Sequence, residues 1–293
     1  MRLFHSPDYT GAAHAFETTR KAGWVAGSLA LEPIEGVVTV SPAPATVEEI
    51  LEVHDPAYVE AVRTGEPSGL AQSQGFPWDP GLWRMVLSSN GGMVAAALAA
   101  LEDGVAGTLS SGLHHARRHR GHGWCTFNGL VLAAKAALRA GAAPVLVLDL
   151  DAHCGGGTAR LIKEEPLVSQ IDVSVCRYDP YPATDRCRSA MVSEASRYLP
   201  VIETMLSEVS GPVGLCLYNA GMDPHQHSGD GLRGINESVL SEREDLVFSW
   251  CRARGIPVAF CLAGGYLSRR LDRDRLVALH RLTIATAVSG RTS

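Results

Sequence analysis

The chain has 293 residues, 46% of them hydrophobic and 19% charged, with a formal net charge of −5. These values fit one large folded domain over residues 1–293 with an ample core. They give no global positive field for nucleic acid or an anionic membrane surface. The N-terminal Met1-Arg2-Leu3-Phe4-His5 stretch lacks an apolar signal core, and no uninterrupted apolar run approaches the roughly 20 residues that span a bilayer. Seven cysteines occur without C-x-x-C pairing, and Cys176, Cys216 and Cys261 sit in apolar runs. They read as free thiols of a reducing, cytoplasmic protein.

The first 80 residues are irregular, with many Pro and Gly and one expected helix near 46–63; residues 65–81 read as a long loop. From residue 82 a rhythm sets in. Helix 82–101, strand 105–110, helix 127–140 and strand 144–150 come first. Strand 171–177, helix 191–208, strand 212–218, helix 239–254, strand 256–262 and helix 273–288 follow. Apolar strands alternating with helices predict a single α/β domain of three layers, with a mainly parallel sheet covered on both faces.

In such sheets ligands bind beyond the carboxyl ends of the strands. The richest exit is that of strand 144–150, where Val145-Leu-Val-Leu-Asp149 runs into Leu150-Asp151-Ala152-His153-Cys154-Gly155-Gly156-Gly157. Side chains alternate faces along a strand, so Asp149, Asp151 and His153 start out pointing the same way. Three ionisable groups at the end of an apolar strand need compensation. A divalent cation would supply it; a strand-end Asp capping a turn is the alternative. Three further exits carry His114-His115, Asp223 and Tyr266. Together the four supply carboxylates and an imidazole for a metal, two imidazoles for proton transfer and a phenol donor, a set suited to metal-assisted amide hydrolysis. Taken singly, each has a plainer reading: a polar loop for the His pair, a turn at Asp223-Pro224, a rim aromatic for Tyr266. Arg117, Arg118, His119 and Arg120 read as a solvated loop. Cys154 has the wrong strand parity to join Asp151 and His153.

These residues resemble the histone deacetylase superfamily over roughly residues 50–268. Ser111-Gly-Leu-His114-His115-Ala-Arg-Arg118 and Gly123-Trp124-Cys-Thr-Phe-Asn128 resemble its His-His and Gly-Phe-Cys-x-Phe-Asn segments. Asp149-Leu-Asp151-Ala-His153-Cys-Gly-Gly-Gly-Thr158 resembles its Asp-x-Asp-x-His-His-Gly-Asn-Gly-Thr metal motif. Asn219-Ala-Gly-Met-Asp223, Ala263-Gly-Gly-Tyr266 and His54-Asp-Pro-Ala-Tyr58 resemble further family segments, with wording nearest to class IV-like and bacterial members. The resemblance implies an arginase/deacetylase-like fold and a zinc ion on Asp151, His153 and Asp223, with Fe(II) or Co(II) as alternatives. It implies His115 as general base, His114 paired with Asp149 beside it, and Tyr266 as oxyanion donor. Asp149 and Ser174 fall where the family binds a structural potassium ion. Gly123, Trp124, Tyr181 and Leu232 would line a channel for an acylated lysine, an acylated polyamine or another small acylated amine, the acyl group being acetyl or longer.

The chain departs from that pattern at three places. Cys154 replaces the second histidine of the metal motif. Gly156 replaces the Asp or Asn that orients the second histidine of the pair, so His115 is expected to have an altered pKa or to borrow another partner. No rim aspartate stands around Gly75-Phe76-Pro77. Two other readings follow. An arginase-like ureohydrolase with two manganese ions would need bridging carboxylates where the chain has Gly155, Asn219 and Gly221. A non-catalytic acyl-amine or metal-binding homologue is motivated by Gly156.

Overall fold

A computed structural model describes residues 1–12 and 17–289. Among these, eight strands form one all-parallel sheet: β1 (Arg2–Phe4), β2 (Val38–Val40), β3 (Val105–Thr108), β4 (Val145–Asp149), β5 (Val168–Ser174), β6 (Cys187–Met191), β7 (Leu215–Gly221) and β8 (Val258–Ala263). Their order across the sheet is β2-β1-β3-β8-β7-β4-β5-β6. The helices are α1 (Glu17–Leu31), α2 (Val47–Leu51), α3 (Pro56–Thr64), α4 (Ser68–Ala71), α5 (Gly81–Asp103), α6 (Gly129–Arg139), α7 (Gly156–Leu161), α8 (Tyr198–Ser207), α9 (Glu237–Ala253) and α10 (Arg273–Val288).

The central strands are apolar along most of their length because both faces are covered, with polar residues such as Asp149 and Asn219 toward their carboxyl ends. Val145, Val147, Leu215, Leu217 and Ala259 join Met93 and Ala97 of α5 and Leu130 and Ala134 of α6 in one core. The alternating residues Leu146, Leu148, Cys216, Tyr218 and Phe260 join Leu29 of α1, Ile202 of α8, Phe248 of α9 and Leu279 of α10 in the other. By length and composition α5 could cross a membrane, but most of it is buried inside the fold against the sheet and α6.

The sheet is wholly parallel, as the alternation of strands and helices requires, and its edges differ from expectation. Strands β1 and β2 and helix α1 occupy the stretch read as irregular; three-residue strands are too short to show a period. The helix expected over 46–63 is two, because Asp55 accepts from Ala57 N and caps α3 with Pro56 in its first turn. The helix expected over 191–208 begins only at Tyr198, with Pro200 in its first turn, and β6 precedes it.

The order β3-β8-β7-β4 makes the four chemistry-bearing exits neighbours. Arg243 of α9, fully buried, ties two of them together. Its Nη1 donates to Gly221 O (2.6 Å) at the end of β7 and to Leu150 O (3.3 Å) just past β4, while its charge is matched by buried Glu244. Removing one partner of such a pair strands the other charge in the core, at about 3–5 kcal/mol. Arg243→Met is therefore expected to lose about that much stability in urea unfolding. A loss under about 1 kcal/mol would show that the exits do not depend on it.

Candidate active site

Asp149 closes β4. Its Oδ2 lies 2.7 Å from His114 Nδ1, and its Oδ1 accepts from the Asn219 amide at 2.8 Å. The chain then turns, and His153 N donates back to Asp151 Oδ1 (3.0 Å). His153 Nδ1 lies 3.0 Å from Asp151 Oδ1 and 3.2 Å from Asp223 Oδ2. Asp223 reaches in from the exit of β7, with Oδ1 accepting from Ala152 N at 3.0 Å. One nitrogen of His153 and one oxygen each of Asp151 and Asp223 thus lie within 4.8 Å of one another, all buried.

This cluster fits a divalent cation. Asp223 Oδ2 is buried and receives no hydrogen bond, a costly state for a carboxylate oxygen unless a cation faces it. Burial and the charge of Asp151 push Asp223 up to about 6. Burial opposes charge on His153 as well, yet the two carboxylates hold it far above its ordinary range. Both shifts express an unmet demand for positive charge. Gly264 lets the β8 exit pass close to the cluster: at φ 50° its backbone leaves no room for a side chain, and a Cβ there would lie 2.2 Å from Asp223 Oδ1. Tyr266, two residues on, packs edge-on to His153 and Trp124 (ring centroids 6.3 and 5.9 Å). Burial and the nearby Asp223 and Asp151 charges raise its phenol well above its usual value, so it stays an O–H donor.

The His pair is split electrostatically. Burial lowers His114, but Asp149 and Asp151 overcome it and raise the imidazole to about 10. Burial and the charge on His114 push His115 down to about 3. The rings lie 4.0 Å apart, one biased toward the charged and the other toward the neutral form. His115 Nδ1 lies 3.2 Å from Asp179 Oδ2, and Asp179 Oδ1 accepts from Arg117 (2.7 Å) and Arg160 (3.0 Å). Arg117 is thus corrected from the solvated loop to a partner of a buried carboxylate. Asp179 and Arg160 carried no sequence signal beyond an Asp-Pro dipeptide in a loop.

A cleft of about 340 Å³ opens over His115, His153 and Tyr266, with Gly123, Trp124, Tyr178 and Asp230 among its walls. Of the four residues expected to line a channel, Gly123 and Trp124 line this cleft, and Tyr181 and Leu232 do not. Asp179 takes φ 50°, which turns the chain so that Tyr178 faces the cleft, stacked on His122, while the Tyr181 hydroxyl faces inward to Gln170 and Arg188 O. Leu232 packs against the core on the α9–α10 side; its neighbour Asp230 lines the cleft instead, 3.1 Å from His153 Nε2. Ser174 donates to Asp172, which faces Asp149 in register across β4 and β5, and burial with the Asp149 charge pushes Asp172 up to about 7.

The histone deacetylase domain model matches residues 14–282. The chain belongs to the histone deacetylase family. An uncharacterized protein of Picosynechococcus sp. is 33% identical to this family member over 241 residues, spanning 78% of each chain. Histone deacetylase 2 of Arabidopsis thaliana is 27% identical over 270 residues, covering 85% of this chain and 69% of its own. The fold of this histone deacetylase-family chain is also that of the HDA15 HD domain (TM-score 0.77, 20% identity, 99% of this chain and 91% of that one). It superposes equally on acetylpolyamine aminohydrolase from Burkholderia pseudomallei (TM-score 0.78, 20% identity, 99% of both chains).

In this histone deacetylase-family chain the His-pair loop is anchored by buried His54, whose Nδ1 bonds Arg117 O (2.9 Å) while Nε2 accepts from Asn128 N (3.0 Å). The bond accepted by Nε2 requires the neutral ring with its proton on Nδ1, and burial lowers the pKa from 6.5 to about 4. Between those values the unfolded chain binds a proton that the folded chain does not. The His54 contribution is therefore full above pH 6.5 and lost as pH falls to 4, up to about 3 kcal/mol. Stability measured by urea unfolding should fall over that window, and less steeply in His54→Gln; equal slopes would contradict the anchoring role.

Proposed function

We propose that the chain is a metal-dependent amidohydrolase that removes an acyl group, acetyl or longer, from an acylated amine such as acyl-lysine or an acylpolyamine. The observation that carries this reading is the convergence of Asp151, His153 and Asp223, with its unbonded buried oxygen, beside His115 and Tyr266 at the floor of one cleft. Family membership supports the same activity. Two oxygens and one imidazole suit zinc, and also Fe(II) or Co(II). When bound, such an ion would polarise the acyl carbonyl and lower the pKa of water. Gly155, Asn219 and Gly221, where bridging carboxylates would be needed, favour one ion over two.

The protein groups divide the remaining work. His115, neutral at pH 7, takes the proton of the attacking water and returns it to the leaving amine. His114, held charged by Asp149 and Asp151, offsets negative charge that builds beside it. The Tyr266 hydroxyl donates to the developing oxyanion. The aromatic edges of Trp124 and Tyr178 suit an alkyl stem that delivers the amide to the floor. Asp149 and Ser174, next to the Asp149–Asp172 carboxylate pair, suit a structural monovalent cation such as potassium. Seven free cysteines suit a reducing cytoplasm.

A fluorogenic acyl-lysine assay on zinc-loaded protein tests the reading. Tyr266→Phe should lower kcat by roughly 10²- to 10³-fold, the scale for one oxyanion donor. His115→Ala should lower it by roughly 10²- to 10⁴-fold. Hydroxamate binding should survive Tyr266→Phe in large part. Variants that release amine as fast as wild type would sink the proposal.

A further inference from the structure

We propose that Asp179 is the positioning residue for His115, delivering from the loop after β5 the carboxylate that position 156 lacks. This rests on the amide-hydrolase reading, in which His115 moves the proton. The Asp179 side chain is excluded from solvent. Burial works against its charge, but the His115 contact and the Arg117 and Arg160 guanidinium groups hold its carboxyl below the usual range. An ionised carboxylate only accepts, so His115 Nδ1 must be the donor across the 3.2 Å contact. A neutral imidazole carries one N–H. Its lone pair is then fixed on Nε2, the nitrogen left to take a proton.

Position 156 abuts both the backbone carbonyl and the carboxylate of Asp179. A Cβ on Gly156 would lie 2.2 Å from Asp179 O, 2.7 Å from Asp179 Oδ1 and 2.4 Å from Arg160 Nη1. Arg160 Nη1 also donates to Gly156 O at 2.5 Å. Gly156 is therefore the space that admits a carboxylate from elsewhere, with its arginine. The backbone points the same way. Asp179 sits at φ 50°, a conformation that glycine adopts without penalty and other residues with some strain. An acid held there at the edge of the site is a functional signal.

The two arginines also set how Asp179 meets its histidine. Asp149 shares its oxygens with His114 and a neutral amide. Asp179 shares its oxygens with His115 and two guanidinium groups.

The test compares zinc-loaded wild type, Asp179→Asn and Asp179→Gly. Three readouts are taken: kcat and KM on a fluorogenic acyl-lysine, hydroxamate Kd, and the His115 tautomer from ¹H–¹⁵N imidazole spectra. Asp179→Asn should lose roughly 10- to 100-fold in kcat, the scale for removing a group that orients a site imidazole. KM and hydroxamate Kd should stay within about twofold, and the single Nδ1–H tautomer should give way to a mixture. Asp179→Gly should lose at least as much kcat as Asp179→Asn. An unchanged tautomer and kcat in Asp179→Asn would overturn the proposal. So would a loss of hydroxamate affinity as large as the loss in kcat, which marks general damage to the site. So would an Asp179→Gly variant that keeps the wild-type kcat. If wild type hydrolyses neither acyl-lysine nor acylpolyamine, the hydrolase reading fails, and the tautomer still decides whether Asp179 fixes His115.

Discussion

Five buried ionisable groups, Asp149, Asp151, Asp223, His114 and His153, meet at the carboxyl edge of the sheet with little solvent to screen them. That concentration of charge constrains everything around it. Three carboxylates facing two imidazoles in an apolar setting are tolerated only with dense hydrogen bonding and a further positive charge. The fold supplies the bonding: Asn219 holds Asp149, Ala152 N holds Asp223, and Arg243 fastens the carbonyls behind both exits from the opposite core. Asp223 Oδ2, buried and unbonded, marks where the further positive charge belongs.

The same electrostatics gives the two adjacent histidines different characters. Their rings lie 4.0 Å apart, and two imidazolium ions at that spacing would repel strongly. The site avoids this by biasing one imidazole with carboxylates and presenting the other with a carboxylate already neutralised by arginine. The glycine at 156, which taken alone suggests a weakened site, is part of this arrangement: it makes room for Asp179 and Arg160.

The strands of the centre and the residues at their exits were legible in the sequence, because long apolar runs ending in Asp, His and Gly carry both the period and its interruption. Strand parity singles out Asp149, Asp151 and His153, but β4 ends at Asp149, and the turn beyond it brings Asp151 and His153 together with Asp223. What was not legible depends on backbone turns that leave no period. Asp179 lies in a loop, and its left-handed backbone swings Tyr178 toward the cleft and Tyr181 away, reversing the expected wall. Arg117 reads as one of four exposed polar residues until Asp179 is placed beneath it. The N-terminal strands are three residues each, and β1 pairs with neighbours 36 and 104 positions away, which no local pattern reports.

The central claim is that one divalent ion is held by two carboxylate oxygens and a single imidazole from Asp151, His153 and Asp223. A second group, His153, Cys176 and Asp230, lies on the other side of the same imidazole and would bind through sulfur. X-ray absorption on protein loaded with one equivalent of zinc separates the two directly. The expected spectrum has only oxygen and nitrogen neighbours, near 2.0–2.2 Å, with the multiple scattering of one imidazole. A sulfur neighbour near 2.3 Å, or a second metal within about 4 Å, would contradict it.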